Sequence, residues 1–286
     1  MSYHAEIQAA LGGRSTSTQG WARVNCPACQ ERVGKTDRSQ CLAVSMTTGF
    51  LKCWRCGLKG KIDVPEDLRV PDAPPAVQRV VEPPEGFMSL STGPAATALA
   101  TEAARAYLLK RRLEAPMWRA AGLGCCLSGK HANRVVVPVL ARDGSWRGWV
   151  ARDWTGRATR KYLNAPGMSL GAVGALYNEA VLDAVTDEPV MVVEGPFDAL
   201  ALWPHAVAVL GKPTDAQLEA LHASPRAVVF VLDGDAWLEA EMLAMELRFS
   251  GKERVGWVRL PPATDPDEVD REWLRDEARR ALEVEK

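Results

Sequence analysis

Several absences narrow the reading before any motif is considered. No apolar stretch is long enough to span a bilayer: the longest are short strand-like runs such as RVVVPVL at 134–140, whereas a spanning helix needs about 20 residues. The N-terminal MSYHAEIQAALGG lacks the charged and apolar sections of a secretory signal. A cytoplasmic location with no membrane contact is expected. Seven cysteines in 286 residues are too few and too clustered for a disulfide scaffold. No internal repeat occurs, and no G-x-x-x-x-G-K-[ST] phosphate loop, so helicase chemistry built on that loop is not expected here. What remains is an ordinary globular composition, 47% hydrophobic, long enough for two domains.

Strong net charge is also missing, but the balance of -1 hides a division along the chain. Residues 14–61 carry nine Lys or Arg against two acids, residues 105–161 thirteen against three, and residues 179–286 eleven against twenty-three. Basic surface attracts polyphosphate through counterion release, and an acidic segment that also meets phosphate needs metal ions between them. Charge blocks of this kind also occur as plain solvated faces.

The cysteines that are present fall into a pattern. Cys26, Cys29, Cys53 and Cys56 form two CxxC knuckles with 23 residues between them, the arrangement of a zinc ribbon with one tetrahedral four-thiolate site. Such a site leaves no open coordination position, so the zinc holds a shaped surface. Cys41, Cys125 and Cys126 read as small apolar residues or inert thiols. Within the second knuckle, between Cys53 and Cys56, lie Trp54 and Arg55, suited either to stacking and pairing with a single strand or, for Trp54, to a lid over the metal.

Residues 63–86 hold six prolines and no long helical or strand period. They predict an extended linker, with an ordered strap across the following domain as the alternative. The zinc ribbon is thus expected over 1–62, a basic α+β subdomain over 87–188 and an α/β subdomain over 189–286. In the basic part, TALATEAARAYLLKRRL and EAPMWRAAGLG predict two helices, and NRVVVPVLARDGSWRGWVARDW a hairpin turning at Asp143–Gly144. From Pro189 short apolar strands alternate with helical stretches, which predicts a mostly parallel sheet covered on both faces.

In that last part the acids stand at strand ends. Glu194 and Asp198 lie in VVEGPFDAL, Asp233 and Asp235 in VLDGDA, and Asp265 and Asp267 in TDPDEV. Carboxyl ends of strands are where open α/β sheets bind ligands. Hard oxygen donors suit magnesium or manganese. Singly, each acid would pass for a helix cap or turn residue.

VVEGPFDALAL with VFVLDGDA resembles a Toprim domain, and the order of zinc ribbon, linker, basic subdomain and Toprim resembles a DnaG-type primase of bacteria or phages. CPAC, KCWRCGLKGK, AYLLKRRLEAPMWRAAGLG, NRVVVPVL, KYLNAPG and DPDEV follow in family order. The resemblance covers nearly the whole chain. It implies a nucleotidyltransferase that makes short RNA primers from nucleoside triphosphates on single-stranded DNA during replication. Glu194, Asp233 and Asp235 would be its central acids, with Asp198, Asp265 and Asp267 helping to hold metal. Arg134, Arg152 and Lys161 would line the groove for template and nucleotide. Two departures stand out: Cys29 replaces the histidine frequent at the second zinc position, and DGDAWLEA lacks the Arg and Gly that usually follow the D-x-D. The chain ends soon after the Toprim part, so a minimal phage or plasmid enzyme working with a separate replicative helicase is expected. The alternative is a non-catalytic recombination mediator of the RecR type, which also joins four cysteines to a Toprim unit.

Overall fold

The computed structural model describes residues 3–11, 21–53, 55–69, 81–91, 95–165 and 175–283. The chain divides into two compact units, Met1–Pro74 and Pro75–Lys286. Among the described residues no helix is long and apolar enough to cross a membrane.

In the first unit, helix α1 (His4–Leu11) is followed by β1 (Trp21–Val24), α2 (Cys29–Val33), β2 (Leu42–Ser45), β3 (Phe50–Cys53) and β4 (Lys59–Lys61). The strands form an antiparallel meander in chain order. One core gathers Ile7 and Leu11 of α1, Val24, Leu42, Val44 and Leu51 of the sheet, and three of the knuckle cysteines. Val64, at the start of the Pro-rich stretch, is buried in that core, and Leu68 packs against it.

The second unit begins before β5 (Phe87–Ser89): the Val81 amide donates to the Trp146 carbonyl at 2.8 Å, and its side chain packs with Trp149. Helices α3 (Ala95–Ala100), α4 (Glu102–Lys110) and α5 (Ala115–Ala120) follow. The single helix expected over 97–113 is interrupted at Thr101, whose backbone leaves helical geometry. Strands β6 (Gly124–Cys126), β7 (Arg134–Leu140), β8 (Trp146–Asp153) and β9 (Tyr162–Asn164) complete an antiparallel sheet in the order β5-β6-β7-β8-β9. The β7–β8 hairpin turns where expected, with Asp143 accepting from the Ser145 amide at 2.9 Å and Gly144 at φ +81°.

The rest alternates strand and helix: β10 (Val190–Val193), α6 (Pro196–Ala201), β11 (Ala206–Ala208), α7 (Asp215–Ala223), β12 (Val228–Phe230), α8 (Trp237–Phe249), β13 (Val255–Trp257) and α9 (Arg271–Arg280). All three pairings in the sheet β11-β10-β12-β13 are parallel. Continuous Val-rich strands suit this because both faces are covered. On one face Val190, Val192, Val228 and Phe230 meet α8; on the other Met191, Val193, Val229 and Val231 meet Leu274 and Ala278 of α9. That second core also takes in Leu108, Trp118, Val135 and Val137. The basic and acidic parts of this unit therefore share one hydrophobic interior.

Candidate active site and metal centre

In the first unit the meander brings the two knuckles together. Cys26 follows β1, Cys29 opens α2, Cys53 ends β3 and Cys56 lies in the next turn. Their four sulfurs lie within 4.8 Å of one another, with Cys26–Cys56 at 3.6 Å and Cys29–Cys53 at 3.5 Å. A tetrahedron with bonds of about 2.3 Å has edges of roughly 3.8 Å, so the donor set fits zinc. Burial pushes the Cys26 thiol up to about 12 and raises Cys29 as well; ionising the set needs a cation at its centre. At Cys53 burial is outweighed by the backbone amides of Cys56 and Arg55, and the thiol falls below its ordinary value.

Asp37 braces this centre. Buried, it accepts from the amides of Cys26, Ser39 and Cys41, each at 2.8 Å. Cys41, expected to be unrelated, sits at the edge of the centre, where Cys29, Asp37 and Cys41 form a second close group. Arg55 is engaged within the knuckle, donating to Ser39 Oγ at 2.6 Å and pairing with Asp37 at 3.4 Å. Trp54 lies outside the described residues.

In the second unit parallel strands deliver their carboxyl ends to one edge. Glu194 follows β10 directly, and Asp198, in the first turn of α6, turns back to accept from the Gly195 amide at 3.2 Å. Asp233 lies beyond β12, next to Gly234, which touches the loop that carries Asp265 and Asp267. Gly234 makes this contact possible: its amide donates to the Thr264 carbonyl at 3.0 Å, and a Cβ here would stand 1.9 Å from the Pro261 carbonyl oxygen. Gly234 thus lets two loops touch.

A cleft of about 780 Å³ opens there, lined by Glu194, Asp198, Asp233, Asp265, Asp267 and Glu268 on one side and by Arg111, Arg152 and Lys161 on the other. Burial first, then the charges of Asp267, Asp233 and Asp265, push Asp198 up to about 7 against the pull of Arg111. Burial and neighbouring carboxylates likewise raise Glu194, Asp233 and Asp265. Crowded carboxylates that resist ionisation are suited to a divalent cation. Asp235 is exposed and outside the lining, although its charge still acts on Glu194.

The basic wall is organised by a residue that sequence reasoning missed. Phe197 is buried next to Asp198, with the Arg111 and Arg152 guanidinium carbons 5.1 and 5.2 Å from its ring centroid. Arg111 also pairs with Asp267, and Arg152 donates to the Tyr162 hydroxyl. Arg111 stood in the KRRL cluster, but nothing local marked it as the one turned to the cleft. Arg134 departs from its expected place in the groove. It is buried, its guanidinium donating to the carbonyls of Ala151, Lys161 and Arg160 at 3.4, 3.1 and 2.8 Å. It holds the segment that carries Lys161.

No family model matches the chain. A curated DNA primase from Aquifex aeolicus (strain VF5) is 32% identical over 160 residues, which cover 52% of this chain and 32% of that protein. The match to a Legionella pneumophila DNA primase covers 26% of its length, so the chain spans about a third or less of the curated relatives it matches. Among solved structures, the zinc-binding and RNA polymerase domains of the Aquifex aeolicus primase match over 99% of this chain and 85% of theirs, at 20% identity and TM-score 0.52. A DnaG primase catalytic domain bound to single-stranded DNA matches over 64% of this chain and 73% of its own, at 24% identity and TM-score 0.56. The chain is thus similar in sequence to curated DNA primases, and it has the folds of both the zinc-binding and the RNA polymerase domains of DnaG-type primases.

Proposed function

We propose that the chain is a DNA primase, synthesising short RNA primers on a single-stranded DNA template. The observation that carries this is the cleft in which the carboxylates of the parallel sheet face Arg111, Arg152 and Lys161. A nucleoside triphosphate needs both: cations for its phosphates, and carboxylates to place the metal ions between them. Glu194, Asp198, Asp233, Asp265 and Asp267 would hold magnesium or manganese, with Asp235 assisting from the rim. Once bound, the ions supply Lewis-acid polarisation of the phosphates and charge neutralisation in the transition state.

The chain's own groups do the rest. Lys161, Arg152 and Arg111 hold and orient phosphate, and Arg134 keeps Lys161 in place. The primer 3'-hydroxyl attacks the α-phosphorus, the bond to the β-phosphate oxygen breaks, and pyrophosphate leaves. Glu194 is placed to hold metal or to receive the hydroxyl proton. Zinc, one per chain on the four cysteines, would shape the first unit as the reader of template start sequence. A phage or plasmid enzyme supplied with template by a replicative helicase fits this reading. The recombination-mediator alternative draws no support from the relatives above.

The test is incorporation of labelled nucleotides on a library of single-stranded templates with magnesium or manganese. Glu194→Gln and Asp233→Asn are expected to keep template affinity and stop dinucleotide formation. Parent-rate synthesis by both variants would show the active site to be elsewhere.

A further inference from the structure

Outside the cleft, three side chains form a cluster that the proposed chemistry does not use. Trp237 opens α8, Trp257 closes β13, and Arg259 lies just beyond that strand. The two indoles stack with centroids 6.0 Å apart and planes 25° from parallel, and the Arg259 guanidinium carbon stands 4.3 Å from the Trp237 ring centroid. Both tryptophans are half-buried and Arg259 is exposed. Trp257 is anchored against the core beneath α8. Among the described residues Arg259 makes no hydrogen bond or ion pair, although Asp235 and Glu239 lie on the adjoining segment of chain. Its contact is with the ring.

The cluster is close in sequence to the cleft. Trp237 stands two residues after Asp235, and Arg259 precedes the loop of Asp265. We propose that Arg259, Trp237 and Trp257 form a stacking site for a base of single-stranded nucleic acid passing outside the cleft, with Arg259 as its outer plate. Bases stack on aromatic rings and on guanidinium planes alike. Nearby carboxylates repel a phosphate that approaches without cations, so contact comes through the base. A single cation suits a strand better than a free triphosphate, whose charge calls for the metals and cations of the cleft. The inference rests on the primase reading.

The experiment uses the full chain and a fluorescein-labelled oligothymidylate, with binding read as anisotropy across a salt series. Stacking on a protein platform is worth about 1–3 kcal/mol per base, so Arg259→Ala and Trp237→Ala are each expected to weaken binding about tenfold. Arg259→Lys should keep the parent's salt slope yet bind as weakly as Arg259→Ala, since an ammonium is not a plate. A strand of the same length with abasic sites throughout should bind parent and variants equally. Arg259 is exposed, so its variants test the idea even if Trp237→Ala folds poorly. Parent affinity in Arg259→Ala, full recovery by Arg259→Lys, or equal loss on the abasic strand would each overturn the site. So would a loss confined to manganese–nucleoside triphosphate binding, which would mark a nucleotide pocket. If the parent chain binds no single strand, the primase reading fails with it; if the parent binds and primes while Arg259→Ala binds equally well, the stacking site alone fails.

Discussion

Asp198 carries the heaviest electrostatic load in the cleft. Its carboxyl rises from an ordinary 3.8 to about 7, through burial and three neighbouring acids. Between those two values the folded protein holds a proton that the unfolded chain has released, so stability falls as pH rises through that window. In chelator, the urea midpoint should decline from pH 4 to pH 7, and Asp198→Asn should make the decline shallower. Glu194, Asp233 and Asp265, shifted the same way, would keep it from vanishing. Magnesium added near neutrality should raise the parent's midpoint more than the variant's; identical pH profiles would refute the burial argument. Arg134 makes the opposite point, that a cation in a basic segment can be structural. Arg134→Ala strips three carbonyls of their donor and should cost about 2–4 kcal/mol in urea unfolding, more than a typical hydrogen bond because the donor is charged and buried. Arg134→Lys should recover only part, lacking the planar fork. Unchanged stability with weakened template binding would return Arg134 to the groove.

At the scale of elements, the site depends on how two strand-end loops meet. Glu194 is positioned by its own strand and by the turn at Gly195, but Asp265 reaches Asp233 only because Gly234 admits the Pro261 carbonyl. Gly234→Ala is therefore expected to destabilise by about 1–3 kcal/mol, as overpacking does, and to lower manganese affinity at least tenfold by parting the loops. Calorimetric titration checks the second effect. Tight metal binding in a destabilised variant would mean that the Asp265 loop is dispensable. Other elements rest on chemistry that sequence makes visible. Thr214 precedes α7, its amide donating to Gln217 at 2.9 Å, and Asp270 caps α9 by accepting from the Trp273 amide at 2.8 Å. Both are side-chain caps of ordinary kind.

At the scale of the whole molecule, the chain divides between Pro74 and Pro75 into two compact units, each with its own core. Structural zinc binding contributes roughly 10–16 kcal/mol of folding energy in small modules. Zinc removal, or Cys53→Ser, should unfold the first unit and leave the second with its parent melting transition. Metal analysis should find one zinc per chain in the parent and none in the variant; full zinc without Cys53 would refute the ligand set. Cys41→Ser should retain zinc, although its place beside Asp37 makes some loss of stability expected. Removing residues 1–74 should leave a core that extends a supplied primer but has lost start-site preference. Initiation by that core at the parent's sites would show that the first unit is not the reader.

What the sequence alone determined is what depends on near neighbours along the chain. Spacing of two within each knuckle marked Cys26, Cys29, Cys53 and Cys56, because a turn of that length points both sulfurs one way. Runs of β-branched residues between helical stretches marked the parallel sheet, and acids just past the strands marked its binding edge. Tertiary structure decided which of those residues share a space. Arg111 and Asp267 are far apart in sequence and form an ion pair; Arg134 and Arg152 belong to paired strands, yet one is buried on carbonyls and the other faces the cleft. Asp233 and Asp235 look equivalent in D-G-D, but the chain turns at Gly234 and leaves one lining the cleft and the other exposed. Composition and spacing do not encode such differences, because each follows from a contact made by a distant segment that closes over one side chain and leaves its neighbour in solvent.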